Sequence, residues 1–317
     1  MDRTAVAVTP AASWRWVLLA IPPLLWAGNF VAGRAVRDAV PPMTLAFARH
    51  LLAFLVLLPF AWPRLRADAG TLWRHRGVIA RTALAGMAGF NLLVYAALHT
   101  TTATNVLLLN AAIPVLIVLF GAMLGRGAPT RHQVAGMLLS CAGVLLIIGH
   151  GDPARIAQLR FARGDLLAFA AMGGFALYSL WLRDLPAGVD RIGVLGAQLG
   201  VATAGLLPFA AWEWARGAQA HAGPAALGAV LYVALGASLL APLLYMAGVA
   251  RVGAARAGLF LHLIPVFGAL LAAGLLGEAL HAYHALGIAV IAAGLLVSNR
   301  TSQVPRPCAQ AANCGAC

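Results

Sequence analysis

The sequence predicts an all-α membrane protein in which ten transmembrane helices form two inverted five-helix repeats. Three observations predict this fold class. Of the 317 residues, 62% are hydrophobic and only 10% are charged, against about 25% charged in an average soluble domain. Apolar segments of about 20 residues recur along nearly the whole chain, as membrane-spanning helices do. The two halves of the chain also match each other at shifts of about 150 residues.

The apolar segments are separated by short polar connections, and the longest connection, about 150–164, divides the chain near its middle. The ten predicted spans are approximately 14–35, 43–62, 78–98, 102–124, 131–149, 165–183, 190–212, 225–248, 254–276 and 283–299. This pattern predicts the following organisation: a cytoplasmic N-terminus (1–13), a first repeat (14–149), a linker (150–164), a second repeat (165–299) and a disordered cysteine-containing C-terminal tail (300–317).

The basic residues fix the expected orientation. All 22 are arginine, and the formal net charge is +13. With a cytoplasmic N-terminus, most of the arginines fall in cytoplasmic connections or at their edges, as the positive-inside rule requires. No basic run alternates with aromatic residues and no nucleic-acid motif is present. We therefore expect both termini in the cytoplasm, the lipid bilayer as a partner, and no nucleic-acid partner.

The internal repeat is marked by proline and glycine. A shift of 151 residues aligns Pro114 with Pro265, and a shift of 149 aligns Arg34 with Arg183. The first shift also aligns two glycine pairs: Gly136 with Gly287 and Gly143 with Gly294. Each half contains five spans, an odd number, so the second half must enter the membrane in the opposite direction, as in many secondary transporters. We interpret Pro114 and Pro265, near the centres of their spans, as hinges, because proline removes a helix hydrogen bond.

Polar side chains inside apolar spans mark the predicted substrate site, because burying them in a bilayer is costly. His262 is the ionisable residue nearest a span centre, and it could exchange a proton during transport; a neutral, hydrogen-bonded histidine is an equally good interpretation. Arg49 could bind a substrate carboxylate or cap backbone carbonyls. The predicted substrate-binding residues are His262, Asn110, Asn29, Asn91, Tyr95, Tyr178, Tyr245 and Trp26.

Several segments resemble the EamA-type ten-helix branch of the drug/metabolite transporter superfamily: LLWAGNFVAGR at 24–34, LAFARHLLAF at 45–54, and YMAGVARVGAARAGLFLHLIPVFGALLAAGLLGEAL at 245–280. The resemblance implies a bacterial inner (plasma) membrane carrier, of a kind that often exports amino acids and other metabolites. It slightly favours the structural role of Arg49. The second half keeps the Gly277-Glu278 pair expected after the ninth helix, whereas the first half has Arg126 where a matching Glu is expected.

The function we expect is secondary transport, by alternating access, of an amino acid or a related amphipathic solute, with efflux as the direction that the resemblance implies. The alternatives are an uncoupled, channel-like facilitator, a membrane protein without transport activity and, least favoured, an intramembrane enzyme. No phosphate-binding loop, zinc-protease motif or serine-hydrolase motif is present. We predict no cofactor, no catalytic residue and no metal site; the oligomeric state is not predicted and a monomer is compatible with the sequence.

Overall fold

The computed structural model describes residues 13–36, 39–98, 100–101, 106, 109–158, 162–186, 188–221, 223–276 and 279–299. These residues form helices joined by turns, with no β-strand among them. The predicted C-terminal tail and the Gly277-Glu278 pair lie outside the described residues.

The helices of the first half are α1 to α6. Their bounds are Ser13–Val36 (α1), Pro42–Ala67 (α2), Ala69–Arg74 (α3), 76–98 (α4, in the parts Arg76–Ala83, Leu84–Gly89 and Phe90–Leu98), Ile113–Met123 (α5) and Arg131–Ile148 (α6). A short helix, α7 (Pro153–Ala157), follows in the connection between the halves.

The second half contains α8 to α12. Their bounds are Arg163–Trp181 (α8), Arg191–Ala215 (α9), 224–252 (α10, in the parts Pro224–Tyr232, Val233–Leu240 and Ala241–Val252), 254–276 (α11, in the parts Ala254–Leu259, Phe260–His262 and Leu263–Leu276) and Ala282–Asn299 (α12). By length and composition, seven helices within the described residues can cross a membrane, and three shorter apolar helices accompany them.

Most helix bounds lie within a few residues of the predicted spans. The predicted span 102–124 differs most, because within the described residues α5 begins at Ile113, after a turn at 111–112. Elsewhere polar residues continue a helix beyond its apolar part: α2 extends to Ala67 through Arg64 and Arg66, and α9 extends to Ala215 through Glu213. A hydropathy pattern ends at the first charge, but backbone hydrogen bonding does not. The helices α3 and α7 also form inside segments that the sequence predicts only as connections.

Two π-helical segments interrupt long helices at related positions of the two halves. One covers Leu84–Gly89 in α4, and the other covers Val233–Leu240 in α10. A π-turn inserts an extra residue into the helix and occurs frequently at functional sites. No sequence signal predicted either segment.

The helices α6 and α12 form the closest helix pair. A Cβ added at Gly136 would lie 2.5 Å from the Gly294 carbonyl oxygen, and one added at Gly143 would lie 2.8 Å from that of Gly287. The order of the contacts is opposite along the two helices, so the helices are antiparallel. Glycine allows this approach because a side chain would separate the backbones.

The helices α2 and α9 form a second antiparallel pair, which is joined at both ends. At one end, the Glu213 carboxylate accepts hydrogen bonds from the backbone N–H of Thr44 (2.7 Å) and of Met43 (3.2 Å), the first amides of α2. At the other end, Asp190 caps the start of α9 and pairs with Arg64 at 3.2 Å. Between these ends Gly196 packs on Ala61. The pair therefore connects the first half firmly to the second.

The glycine contacts of α6 and α12 predict a difference between two chemically identical substitutions. We expect Gly136→Ala to reduce the free energy of unfolding in mixed micelles by about 1–3 kcal/mol, because the added methyl group overpacks the α6–α12 contact. The control is Gly268→Ala in α11, where a Cβ meets no atom within 4 Å. We expect this variant to be neutral or up to about 1 kcal/mol more stable, through helix propensity. Equal effects of the two substitutions would contradict the close packing of α6 on α12.

Candidate substrate cavity

A cavity of about 70 Å³ lies between the two halves of the chain. Six helices line it: α1, α2, α4, α8, α10 and α11, together with the start of α5. The residues that line it are Trp26, Asn29, Arg49, His50, Gly86, Met87, Phe90, Asn91, Asn110, Ile113, Phe175, Tyr178, Ala237, Ser238, Pro242, Leu261 and Ile264. The lining is mainly apolar and aromatic, with a few polar groups that converge on one side, which is the usual composition of a small-molecule site.

Arg49 is the charged residue of this cavity, and only 3% of its surface is exposed. Its Nε donates a hydrogen bond to Ser238 Oγ (2.6 Å). Its Nη1 donates to Asn29 Oδ1 (2.7 Å) and, at 3.4 Å, to Asn91 Oδ1. The guanidinium therefore joins α1, α2, α4 and α10, and its partners come from both halves of the chain.

The polar partners of Arg49 are held by the irregular helix turns. Asn91 donates its side-chain N–H to the Met87 carbonyl oxygen (2.7 Å), and Ser238 donates its hydroxyl to the Val233 carbonyl oxygen (2.9 Å), five residues earlier. Met87 and Val233 lie in the two π-helical segments. These side-chain hydrogen bonds leave the Asn91 and Ser238 oxygens directed at the arginine as acceptors.

No carboxylate neutralises Arg49 among the described residues. The ion pairs that the structure describes involve Arg64, Arg81, Arg126 and Arg155 instead. The hydrogen-bond partners of Arg49 are uncharged, and its Nη2 makes no hydrogen bond to any residue in the described ranges. A buried cation thus faces the cavity with only neutral dipoles around it.

A cluster of aromatic rings also forms part of the cavity wall. The rings of Trp26 and Phe175 meet edge to face with centroids 5.6 Å apart, and Phe90 packs on Phe175 at 5.5 Å. Tyr178 and Tyr245 stack at 6.4 Å behind them. Such contacts stabilise a cluster beyond the burial of its area alone. The Trp26 indole N–H is anchored by the Ala237 carbonyl oxygen at 3.1 Å, which links the cluster to the second π-helical segment.

The two stacked tyrosines differ in their hydroxyl groups. Tyr245 and Ser179 share a hydrogen bond of 2.8 Å. The Tyr178 hydroxyl is buried and has no hydrogen-bond partner among the described residues. Gly86 makes room for the Tyr178 ring, because a Cβ at this position would collide with it. Tyr178 therefore contributes an unused donor and acceptor beside the cavity.

Five of the predicted substrate-binding residues line the cavity together: Trp26, Asn29, Asn91, Asn110 and Tyr178. Tyr245 lies one layer behind, in contact with Trp26 and Tyr178. Tyr95 packs against the main hydrophobic cluster and does not line the cavity. Phe90, Phe175 and Ser238 also line the cavity and do not stand out in the sequence. His50 stands out as an ionisable residue in an apolar span, and Arg49, for which a structural role was slightly favoured, also lies in the lining.

His262 lies outside the lining residues and is 1% exposed. Its Nε2 is 3.1 Å from the Ala111 carbonyl oxygen and 3.8 Å from Cys141 Sγ, while its Nδ1 has no partner in the described ranges. It therefore bridges α11 to the turn that carries Asn110. Its role in proton exchange stays a prediction.

Both candidate hinge prolines begin a regular helical segment. Pro114 is the second residue of α5, after the turn at 111–112, and Pro265 is the third residue of the last part of α11, after the 3₁₀ turn Phe260–His262. Proline suits such a position because its missing N–H needs no partner there. Their function as hinges stays a prediction.

Ion pairs join the helices at one end of the bundle. Asp184, at the end of α8, pairs with Arg81 of α4, and with Arg126 in the α5–α6 connection at 2.7 Å. The hydrogen bond to Asp184 raises the pKa of Arg126 above its usual value. Arg126 also donates to the Leu180 carbonyl oxygen at 3.1 Å. Residues of the first half thus hold the end of α8 of the second half.

Within the described residues, no group of three or more His, Cys, Asp or Glu is placed to hold a metal ion.

The EamA-like transporter family model matches residues 14–149 and 162–300, so the chain belongs to this family. An uncharacterized transporter of Archaeoglobus fulgidus is 28% identical over 89% of this chain and 96% of its own length. The uncharacterized transporter YetK of Bacillus subtilis is 26% identical over 89% of this chain and 86% of its own. A solved structure, described as "Crystal structure of protein", shares the fold with a TM-score of 0.72 at 23% identity, over 90% of this chain and 96% of that chain.

Family membership and the apolar helices together define the class of protein. The chain is a multi-pass membrane transporter with a small-molecule substrate. Its relatives are named as transporters, which points to transport rather than catalysis.

The contrast between the two tyrosines predicts unequal effects of removing one hydroxyl. We expect Tyr245→Phe to lower the free energy of unfolding in mixed micelles by about 1 kcal/mol, because the hydrogen bond to Ser179 is lost. Tyr178→Phe should be neutral or slightly stabilising, since its hydroxyl has no partner to lose within the part of the chain that the structure describes. A larger loss for Tyr178→Phe than for Tyr245→Phe would show that the hydroxyl has a partner in the protein.

Proposed function

We propose that the protein is a secondary transporter that moves a small metabolite, an amino acid or a related amphipathic solute, across the bacterial inner membrane by alternating access. The observation that carries the proposal is the cavity between the halves, which combines a buried arginine with an aromatic wall. Export is the direction we propose.

The proposal includes an inverted relationship between 14–149 and 165–299. Support comes from pairs of residues that the repeat makes equivalent and that also contact each other. Ser140 donates to the carbonyl oxygen of Ile291, and His262 contacts that of Ala111, both at a separation of 151 residues. The rings of Trp26 and Phe175, 149 residues apart, meet edge to face. Equivalent positions meet in this way only near an approximate two-fold axis, and the antiparallel pairs α6–α12 and α2–α9 fit the same axis.

The orientation we propose places the 1–13 and 300–317 termini and the Asp184 ion pairs on the cytoplasmic side. Arginines concentrate on this side in the connections at 62–78 and 124–130, in agreement with the positive-inside rule. The Glu213 end of α9 and the linker 150–164 then face the opposite side.

A carrier explains the cavity better than an open channel does. A volume of about 70 Å³ is roughly half of the 150 Å³ or so that holds one benzene molecule. An amphipathic solute can therefore enter only if helices separate or side chains rotate. The ion pairs of Asp184 and the hydrogen bonds of Glu213 connect the two halves at the two ends of the bundle. Movements that open the cavity to one side would have to break the contacts at one end or preserve them.

Solute counterflow tests this function. A comparison of metabolites released by cells with and without the protein identifies a solute, and proteoliposomes are then preloaded with it. A carrier should take up labelled external solute several-fold faster when the interior is loaded, because the return step is accelerated by bound solute. Equal uptake into loaded and empty proteoliposomes would contradict a carrier and favour the channel-like alternative.

A matched pair of tryptophan variants ties the counterflow to the cavity. We expect Trp26→Ala to reduce counterflow by about tenfold or more, since it removes an aromatic surface and an anchor of the second π-helical segment. Trp73→Ala, in α3, removes a side chain that is 71% exposed and should leave counterflow unchanged. Similar losses of counterflow in both variants would show that transport does not depend on this cavity.

A further inference from the structure

We infer that the transported solute carries one carboxylate that binds Arg49, while its apolar and preferably aromatic part packs against Trp26 and Phe175. This inference deepens the proposed function and rests on it, because it names the class of substrate for the same cavity. It reverses the sequence-based preference for a structural Arg49.

The first step is the charge balance of the cavity. A buried charge is stable when it is paired with an opposite charge, yet the partners of Arg49 are all neutral. The acidic residues that the structure describes lie at helix ends or in connections, and the list is Asp68, Asp152, Asp165, Asp184, Asp190 and Glu213. The protein provides no counter-charge from these residues, so a bound anion is the group that completes the site.

The second step compares Arg49 with its equivalent in the other half. A shift of 149 residues places Gln198 of α9 at the position of Arg49 in α2. Gln198 is fully buried and donates its side-chain N–H to Thr82 Oγ1 of α4 at 2.7 Å. A neutral amide thus links helices at the equivalent position. Packing of this fold does not require an arginine there, and the positive charge needs a separate explanation.

The third step is the geometry of the donors. Hydrogen bonds from Nε to Ser238 and from Nη1 to Asn29 fix the plane of the guanidinium, and Nη2 stays unbonded among the described residues. The two N–H groups of Nη2 are therefore the donors that remain for a carboxylate oxygen, because Nε is bonded to Ser238 and Nη1 to Asn29 and Asn91. Tyr178 also lines this cavity, and its buried hydroxyl has no hydrogen-bond partner among the described residues.

The fourth step limits the charge and shape of the ligand. One arginine balances one negative charge, so a dianion such as a phosphate monoester would remain uncompensated. The rest of the lining is apolar, and Trp26, Phe90 and Phe175 present ring edges and faces to it. A monocarboxylate with an apolar ring is therefore the ligand that satisfies both sides of the cavity.

Binding of four probes to the purified full-length protein tests this inference, with intrinsic tryptophan fluorescence or calorimetry as the readout. Phenylacetate, phenylacetamide and phenethylamine share a ring and differ in charge, and chloride tests whether any anion suffices. We expect phenylacetate to bind about 10- to 100-fold more tightly than phenylacetamide, the range for a hydrogen-bonded charge, and phenethylamine and chloride to bind most weakly. Equal or tighter binding of the amide, the amine or chloride, or no binding of phenylacetate, overturns the inference.

Variants of Arg49 test whether this residue causes the preference for phenylacetate over phenylacetamide. Arg49→Gln should reduce phenylacetate affinity to that of phenylacetamide in the same variant, and Arg49→Lys should retain part of the difference, since it keeps the charge without the planar donors. A folded Arg49→Gln protein that still prefers the carboxylate overturns the inference. Because the wild-type probe series needs no variant, poor folding of Arg49→Gln leaves that result intact. If phenylacetate binds but no counterflow is seen, the proposed transport is contradicted and the ligand class is not. If a solute without a carboxylate shows counterflow, the ligand class is contradicted and the proposed transport is not.

Discussion

The constraint on which the structure depends is the burial of a single positive charge inside an apolar helix bundle. Arg49 can stay there because oxygen acceptors approach it from α1, α4 and α10. Two of these acceptors, on Asn91 and Ser238, are oriented by hydrogen bonds to carbonyl oxygens of the π-helical segments. The irregular turns, the polar cluster and the cavity are thus parts of one arrangement, and a bound anion would complete its charge balance.

The same arrangement connects the two halves of the chain. The Arg49 cluster and the Trp26–Phe175 contact lie at the cavity, the Asp184 ion pairs lie at one end, and the α2–α9 pair is joined at both of its ends. A bound solute that contacts both halves can change the balance among these contacts. The Asp184 ion pairs are partly buried, with 26% of the Asp184 side chain exposed, and they are among the contacts that such a change would have to break or keep.

Hydropathy was sufficient to predict most of the fold, because lipid exposure requires continuous apolar helices. It also led to Asn29, Asn91, Asn110, Tyr178 and Trp26, since polar and amphipathic side chains stand out in apolar spans. The π-helical segments were not predictable, because an extra residue in a turn leaves no pattern in composition. The sequence did not predict that Arg49 lines the cavity, because α2 is apolar on most sides and its sequence does not show which side faces a cavity. Phe90 and Phe175 look like ordinary core residues until the helices are placed.

The paired glycines show a further limit of the sequence. Gly136, Gly143, Gly287 and Gly294 suggest a repeat in the sequence, but only the structure shows that they contact one another across α6 and α12. A repeat fixes which residues are equivalent, and packing decides which of these meet.

The central claim is that the buried Arg49 binds an anion. The most direct test is a measurement of charge displacement on a solid-supported membrane. A concentration jump of phenylacetate onto reconstituted protein moves a negative charge into the bilayer dielectric, whether or not a transport cycle follows. The account predicts a transient negative displacement with phenylacetate, none with phenylacetamide, and its loss in Arg49→Gln. No displacement with phenylacetate, or an equal one in the folded Arg49→Gln protein, would contradict it.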